Sequence, residues 1–193
     1  MKKNAMLFCS ALILAGCNNA AKSTQQVHEN SEYQEQLMRD GWTYEGLSDS
    51  ELGEDYGVKP VYGIQDNYFD ITMGEGYSVA VKIVDAQSDK CIRYAVVPEN
   101  STTTVTQIPQ GRYYLKLAYG RDWMELRTDS MIIGKFTRNA FYEKSRQVYD
   151  FGKKNSKQNI NYELHINVQG ETGFNDFETL PITEEEFLKN KGI

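Results

Sequence analysis

Histidine, cysteine and paired acids are the residue types that carry most protein chemistry, and this chain is poorly supplied with the first two. It has two His and three Cys among 193 residues, beside 27 Asp and Glu. A metal centre needs several such ligands at helical or hairpin spacing. His28 and His165 are 137 positions apart and neither has a ligand at such a distance, so no metal ligands and no cofactor are assigned. His165 stands between Glu163 and Asn167, with no Gly-x-Ser-x-Gly nucleophile motif in the chain, and is read as a solvated side chain. Gly74-Glu75-Gly76 lacks the third glycine and the following helix of a phosphate-cradling loop. The acidic run 48–56 has none of the spacing of a calcium-binding loop and is read as solvated surface. The stretch Gly120–Arg127 is different. It reads as a loop that carries Trp123 between Arg121 and Arg127, an aromatic face with two guanidinium donors, which suits contact with a sugar or a peptide. The bland alternative is that Trp123 plugs one end of the core.

The N-terminus has a different chemistry. Lys2 and Lys3 precede an apolar run, Ala5 to Ala15, which is too short for the about 20 residues of a membrane span. The run ends in Leu14-Ala15-Gly16-Cys17. A basic start, an apolar middle and small residues before the cut describe a secretory signal. The four residues 14–17 resemble the lipobox of bacterial lipoproteins. The resemblance implies cleavage before Cys17, a diacylglyceryl group on its thiol, and anchoring to a membrane by two or three acyl chains. Asn18, where Asp would favour inner-membrane retention, leans the expected location to the outer membrane of a bacterial envelope. Cys9 leaves with the signal and Cys17 is acylated, so Cys91 is the one remaining thiol. No internal disulfide is then available, and Cys91 is expected to be packed and inert.

The expected organisation follows: a signal over 1–16, a flexible tether over 17–30, an N-terminal extension over 31–58, and a β domain over 59–193. Residues 31–40 fit a short helix with Tyr33, Leu37 and Met38 on one face, stopped by Gly41; Trp42 and Tyr44 then dock the segment. Tyr77, Val79, Val81 and Ile83 alternate with smaller or polar residues. After a turn at 85–89, Ile92, Tyr94 and Val96 alternate with Cys91, Arg93 and Ala95, giving a hairpin that places Cys91 opposite Tyr94. Residues 102–106, 112–119 and 131–137 read as strands. Residues 139–149 fit a strand or a helical stripe. Ile160, Tyr162, Leu164, Ile166 and Val168 give the cleanest alternation, predicting a central strand with His165 outward. Thr183, Glu186, Ile182 and Phe187 form the signature of a capped, stapled C-terminal helix.

Seven to nine short strands and few helices predict a mainly β chain, an antiparallel β-sandwich with short N- and C-terminal helices. The segment Thr104–Tyr119, a strand running into Pro-x-Gly and then Tyr-x-Leu, is similar to prealbumin-like and carboxypeptidase regulatory-like domains. That implies a Greek-key sandwich over residues 75–120 and nothing about function. The net charge of −6 argues against a nucleic-acid groove. The expected function is a non-enzymatic envelope lipoprotein that binds an envelope protein or a glycan. The alternatives are a small carbohydrate-active hydrolase or sugar-binding protein, and an inhibitor or immunity-type protein.

Overall fold

In the computed structural model, residues 31–155, 157–169 and 172–189 are described, and these form a mainly β structure of two sheets with two short α-helices. The signal, the Cys17 site and the expected tether lie outside the described residues.

The larger sheet is antiparallel. It contains β1 (Thr43–Tyr44), β2 (Ser50–Glu51), β4 (Ser78–Asp85), β5 (Cys91–Val97), β7 (Arg112–Arg127), β8 (Ile132–Ser145), β9 (Tyr149–Asp150) and β13 (Thr179–Pro181). Its main path runs β13-β8-β7-β4-β5-β2, with β1 and β9 also paired to β7. The smaller sheet has the order β10-β3-β6, from β10 (Asn161–Ile166), β3 (Tyr68–Met73) and β6 (Ser101–Thr106). A short hairpin joins β11 (Val168–Gln169) to β12 (Thr172–Gly173).

Between the sheets lies a core built from the alternate residues of β3, β4, β7 and β10, among them Phe69, Ile71, Val81, Leu115, Leu117, Leu164 and Ile166. Aromatic edges reinforce it, with Phe69 in contact with Phe151 at 4.9 Å and Tyr149 at 5.1 Å between ring centroids. Leu164 is buried and His165 exposed, as the alternation predicts. The strand is not central, however. β10 pairs only with β3, in parallel, and so forms one edge of a mixed sheet.

The larger sheet is covered on its other face too. Ala80, Tyr94, Val96, Ala118, Trp123 and Phe136 form a second cluster. It is closed by Phe187 from α2 (Glu184–Leu188), by Val58, and by Leu47, Leu52 and Tyr56. β5 is therefore buried along its whole length, because both faces of the sheet are covered there. The acidic run 48–56 belongs to this cover, as β2 and a 3₁₀ turn at Glu54–Tyr56. Its Glu51 pairs with the guanidinium of Arg93, a side chain only 1% exposed, whose Nη1 also donates to Thr106 O at 2.7 Å. The ion pair joins β2 to β5 within the larger sheet, and the bond to Thr106 O ties that side of it to β6, an edge of the smaller one.

Two helix expectations hold in altered form. The helix α1, residues 31–39, buries Leu37 but leaves Tyr33 and Met38 exposed. The segment after it docks as expected, Tyr44 through the pairing of β1 with β7 and Trp42 beneath Lys135 Nζ at 4.7 Å, and Gln34 adds to this, its Nε2 donating to Asp122 Oδ2 at 3.1 Å and Thr137 Oγ1 at 3.0 Å. Gly41 ends the helix at φ +92°, a conformation natural to glycine. At α2 the Thr183 hydroxyl accepts from the Glu186 amide at 3.1 Å, the expected cap. The Glu186 carboxylate turns instead to Lys144 Nζ, at 3.2 Å.

Candidate functional site

Arg121, Trp123 and Arg127 do not lie on a loop. They are the second half of β7, a strand of 16 residues. Gly120 is there because Phe136 needs its space: a Cβ on Gly120 would stand 2.3 Å from Phe136 Cβ. A bulge follows, with Asp122 at φ +55° and Asn139 opposite at φ +53°, and the β7–β8 register shifts between Tyr119 and Arg121. The shift moves the odd-numbered residues to the other face. Tyr119 points between the sheets, whereas Trp123 joins Ala118 beneath the outer cover.

Trp123 is 3% exposed. Its indole Nε1 donates to Glu125 Oε1 at 3.1 Å, and its ring meets Phe136 edge-on at 4.9 Å. It is a packed side chain with no face open for stacking on a ligand, which corrects the expectation of a Trp-bearing binding loop. Arg127 is solvated and pairs with Glu125 at 3.2 Å. Six residues of strand, about 20 Å, separate it from Arg121. The three residues form no common site.

Arg121 lines a polar cleft of about 310 Å³ with Glu75, Glu99, Asp122 and Arg138. Its Nε donates to Gly76 O, and its guanidinium lies over the Tyr77 ring at 5.0 Å. Arg138 grips Asp122 with two bonds of 2.6 and 2.9 Å. That grip, against the opposing effect of burial, holds the Asp122 carboxyl below its ordinary range. Glu99 Oε2 accepts from the Gly76 amide at 2.9 Å. Asp122 is thus engaged by Arg138 and Glu99 by the backbone.

A second pocket lies under the outer cover, and the sequence did not point to it. Lys82 of β4, Lys116 of β7 and Lys144 of β8 are cross-strand neighbours in one row. The last turn of α2 sits over them. Glu186 O accepts from Lys116 Nζ at 2.8 Å and Phe187 O from Lys82 Nζ at 3.1 Å, an arrangement favoured by the negative end of a helix. Lys82 is 3% exposed, with its ammonium 4.8 Å from the Phe187 ring centroid and 5.0 Å from that of Tyr94. Burial, with Lys116 adding to it, pushes the Lys82 ammonium down to about 8. Beside it opens an apolar pocket of about 200 Å³, lined by Tyr56, Met131, Ile132, Ile133 and Leu188.

The sign of the Lys82 effect is testable. Unfolded, the lysine ionises near 10.5 and so holds its proton through a range in which the folded chain has lost it. Below about pH 8 the burial penalty is constant; between about 8 and 10.5 it is relieved as pH rises. Relative to Lys82→Met, the wild type should therefore gain stability between pH 7 and pH 10, by at most on the order of 3 kcal/mol. Urea unfolding of both proteins at the two pH values measures it, and a difference that stays constant or moves the other way would contradict the assignment.

Cys91 is the only free cysteine among the described residues, and it is buried. Its Sγ donates to Arg93 O at 3.2 Å, and burial pushes the thiol up to about 11. It is inert packing, as expected, but on the same face as Tyr94 rather than opposite, because β5 carries one extra residue, Ile92, against the Ile83–Val84 step of β4, which flips its phase. Cys91→Ser keeps the size and the donor, so its melting temperature should fall by only a few degrees, consistent with about 1 kcal/mol. Thermal unfolding checks this, and loss of folding would mean the thiol is indispensable to the cover.

No group of three or more His, Cys, Asp or Glu side chains that could hold a metal occurs among the described residues. No protein-family model matches the chain, and neither a curated protein nor a solved structure does.

Proposed function

We propose that the chain is a membrane-anchored bacterial envelope lipoprotein whose β-sandwich is a non-enzymatic binding or assembly module. The observation that carries this is the order of its first residues: the basic pair Lys2-Lys3, an apolar run, Leu14-Ala15-Gly16-Cys17, and then a polar stretch. Acylation at Cys17 would hold the sandwich at a lipid surface, and Asn18 favours the outer membrane. Binding is preferred to hydrolysis on the state of the polar cleft. A glycosidase needs one carboxyl kept protonated as the acid. Asp122 is held ionised by Arg138, and Glu99 is turned to a backbone amide.

A protein partner is a second reading, favoured by one observation. In the segment before β3, Ile64 is 95% exposed and Tyr62 59% exposed. Tyr62 is held over Arg93 at 4.4 Å, so this surface is presented on a fixed support.

The anchor is tested by growth of a bacterial host with an alkyne fatty acid. The wild type should take up label and fractionate with membranes, and Cys17→Ala should do neither. Equal labelling of the two would sink the proposal.

A further inference from the structure

We propose that the polar cleft beside Arg121 binds a free α-amino acid, with its carboxylate on the Arg121 guanidinium and its ammonium on Glu99. The inference rests on the reading of the sandwich as a binding module, gives that module a ligand class, and does not depend on the anchor. Its ground is that both charged groups are fixed on one residue of the turn between β3 and β4. Glu99 Oε2 accepts from the Gly76 amide at 2.9 Å, and the Gly76 carbonyl accepts from Arg121 Nε. The two side chains are thereby spaced by the N–Cα–C–O skeleton of a single residue. A free amino acid has the same skeleton, with an ammonium in place of the amide and a carboxylate in place of the carbonyl. Beyond the atoms that hold Gly76, Glu99 has its Oε1 and Arg121 the N–H groups of its two terminal nitrogens.

Both groups have a fixed support. The guanidinium lies over the Tyr77 ring at 5.0 Å. Gly76, at φ +86°, lets it come close, since a Cβ there would stand 3.1 Å from Arg121 Nη2. Opposite, the turn between β5 and β6 is tied to the same loop: the Glu99 amide donates to Ser78 Oγ at 3.1 Å and the Asn100 amide to Gly74 O at 3.1 Å. The charge of the cleft selects the class of guest. Arg121 and Arg138 face Glu75, Glu99 and Asp122, a near balance that suits a ligand carrying both signs better than a simple anion or cation. A neutral sugar would set hydroxyl dipoles against full charges and would lack a ring to stack on, because Tyr77 lies under the guanidinium and edge-on to Phe141 at 6.0 Å. The 310 Å³ of the cleft is room for about ten water-sized groups, enough for an amino acid with a polar side chain of a few atoms.

The test is NMR titration of the full chain carrying Cys17→Ala, which needs neither acyl chains nor detergent. The probes are glutamine, N-acetylglutamine without the ammonium, glutamine α-amide without the carboxylate, and glucose. Glutamine should saturate a site whose shifts fall on the amides of Gly74–Ser78, Glu99 and Arg121, at least about tenfold more tightly than the other three. Glu99→Gln, which keeps an acceptor for the Gly76 amide, should bring glutamine to the level of N-acetylglutamine. Arg121→Gln should bring it to the level of the α-amide. Equal binding of glutamine and either blocked form in the parent chain would overturn the proposal without recourse to a further variant. So would glucose binding as tightly, shifts located elsewhere, or a Glu99→Gln protein that keeps the preference over N-acetylglutamine. A wild-type chain labelled at Cys17 whose Cys17→Ala form ignores glutamine would lose this ligand and retain its anchor.

Discussion

Gly134→Ala should destabilise the protein by about 3 kcal/mol, the upper part of the range for overpacking a close-packed site. For a chain of this length that lowers the melting temperature by roughly 6–12 °C. The reason is one contact. A Cβ on Gly134 would lie 2.1 Å from Cζ2 of Trp123 and 2.8 Å from its Cε2. The indole cannot retreat, because Glu125 holds its Nε1 and Phe136 stands against its ring. Gly120 and Phe136 repeat the arrangement on the paired strands, so each ring lies over a glycine of its neighbour. Gly46→Ala is the control: a Cβ there meets nothing within 4 Å. Thermal unfolding of the two variants should separate them clearly. Equal melting temperatures would mean that Trp123 does not sit on Gly134.

Leu164→Asp should cost about 4 kcal/mol or abolish cooperative unfolding, since it sets an unpaired carboxylate among Leu164's core neighbours. His165→Thr, one residue on, should stay within about 0.5 kcal/mol. His165 is exposed and faces away from the core, beside Thr72 of β3. Denaturant unfolding of the pair reads the register directly. Similar losses in both, or a larger loss at His165, would show β10 inverted.

β10, β4 and the first half of β7 were legible because each keeps a single phase, so that period two in the sequence maps onto one face of a sheet. The two misplaced segments each cross a bulge. In β5 the extra residue Ile92, and in β7 the turn of the backbone at Asp122 against an extra residue of β8, reverse the alternation, which put Tyr94 opposite Cys91 and made the end of β7 look like a loop. Phe141 and Tyr142 left 139–149 undecided for a related reason. Phe141 stacks on Tyr119 inside the sandwich at 4.5 Å, while Tyr142 meets Phe187 outside at 5.6 Å. Adjacent aromatic residues on a strand covered on both faces imitate a helical stripe.

The candidate pockets were less legible than the fold. Arg121 was found from its residue type, although the cleft around it is completed by Gly76 and Tyr77 from one part of the chain and Arg138 from another. Lys82, Lys116 and Lys144 are 34 and 28 positions apart, with nothing in their spacing to join them. Strand pairing makes them neighbours, and the α2 carbonyls make the burial of Lys82 and Lys116 tolerable, while Lys144 pairs with the Glu186 carboxylate.

The central claim, that this sandwich works from a lipid anchor on Cys17, is tested most directly by the intact mass of the protein extracted from membranes of a bacterial host. The account predicts a chain that begins at Cys17 and carries the added mass of a diacylglyceryl group, with or without a third acyl chain. An unmodified chain, or one that still begins at Met1, would contradict it.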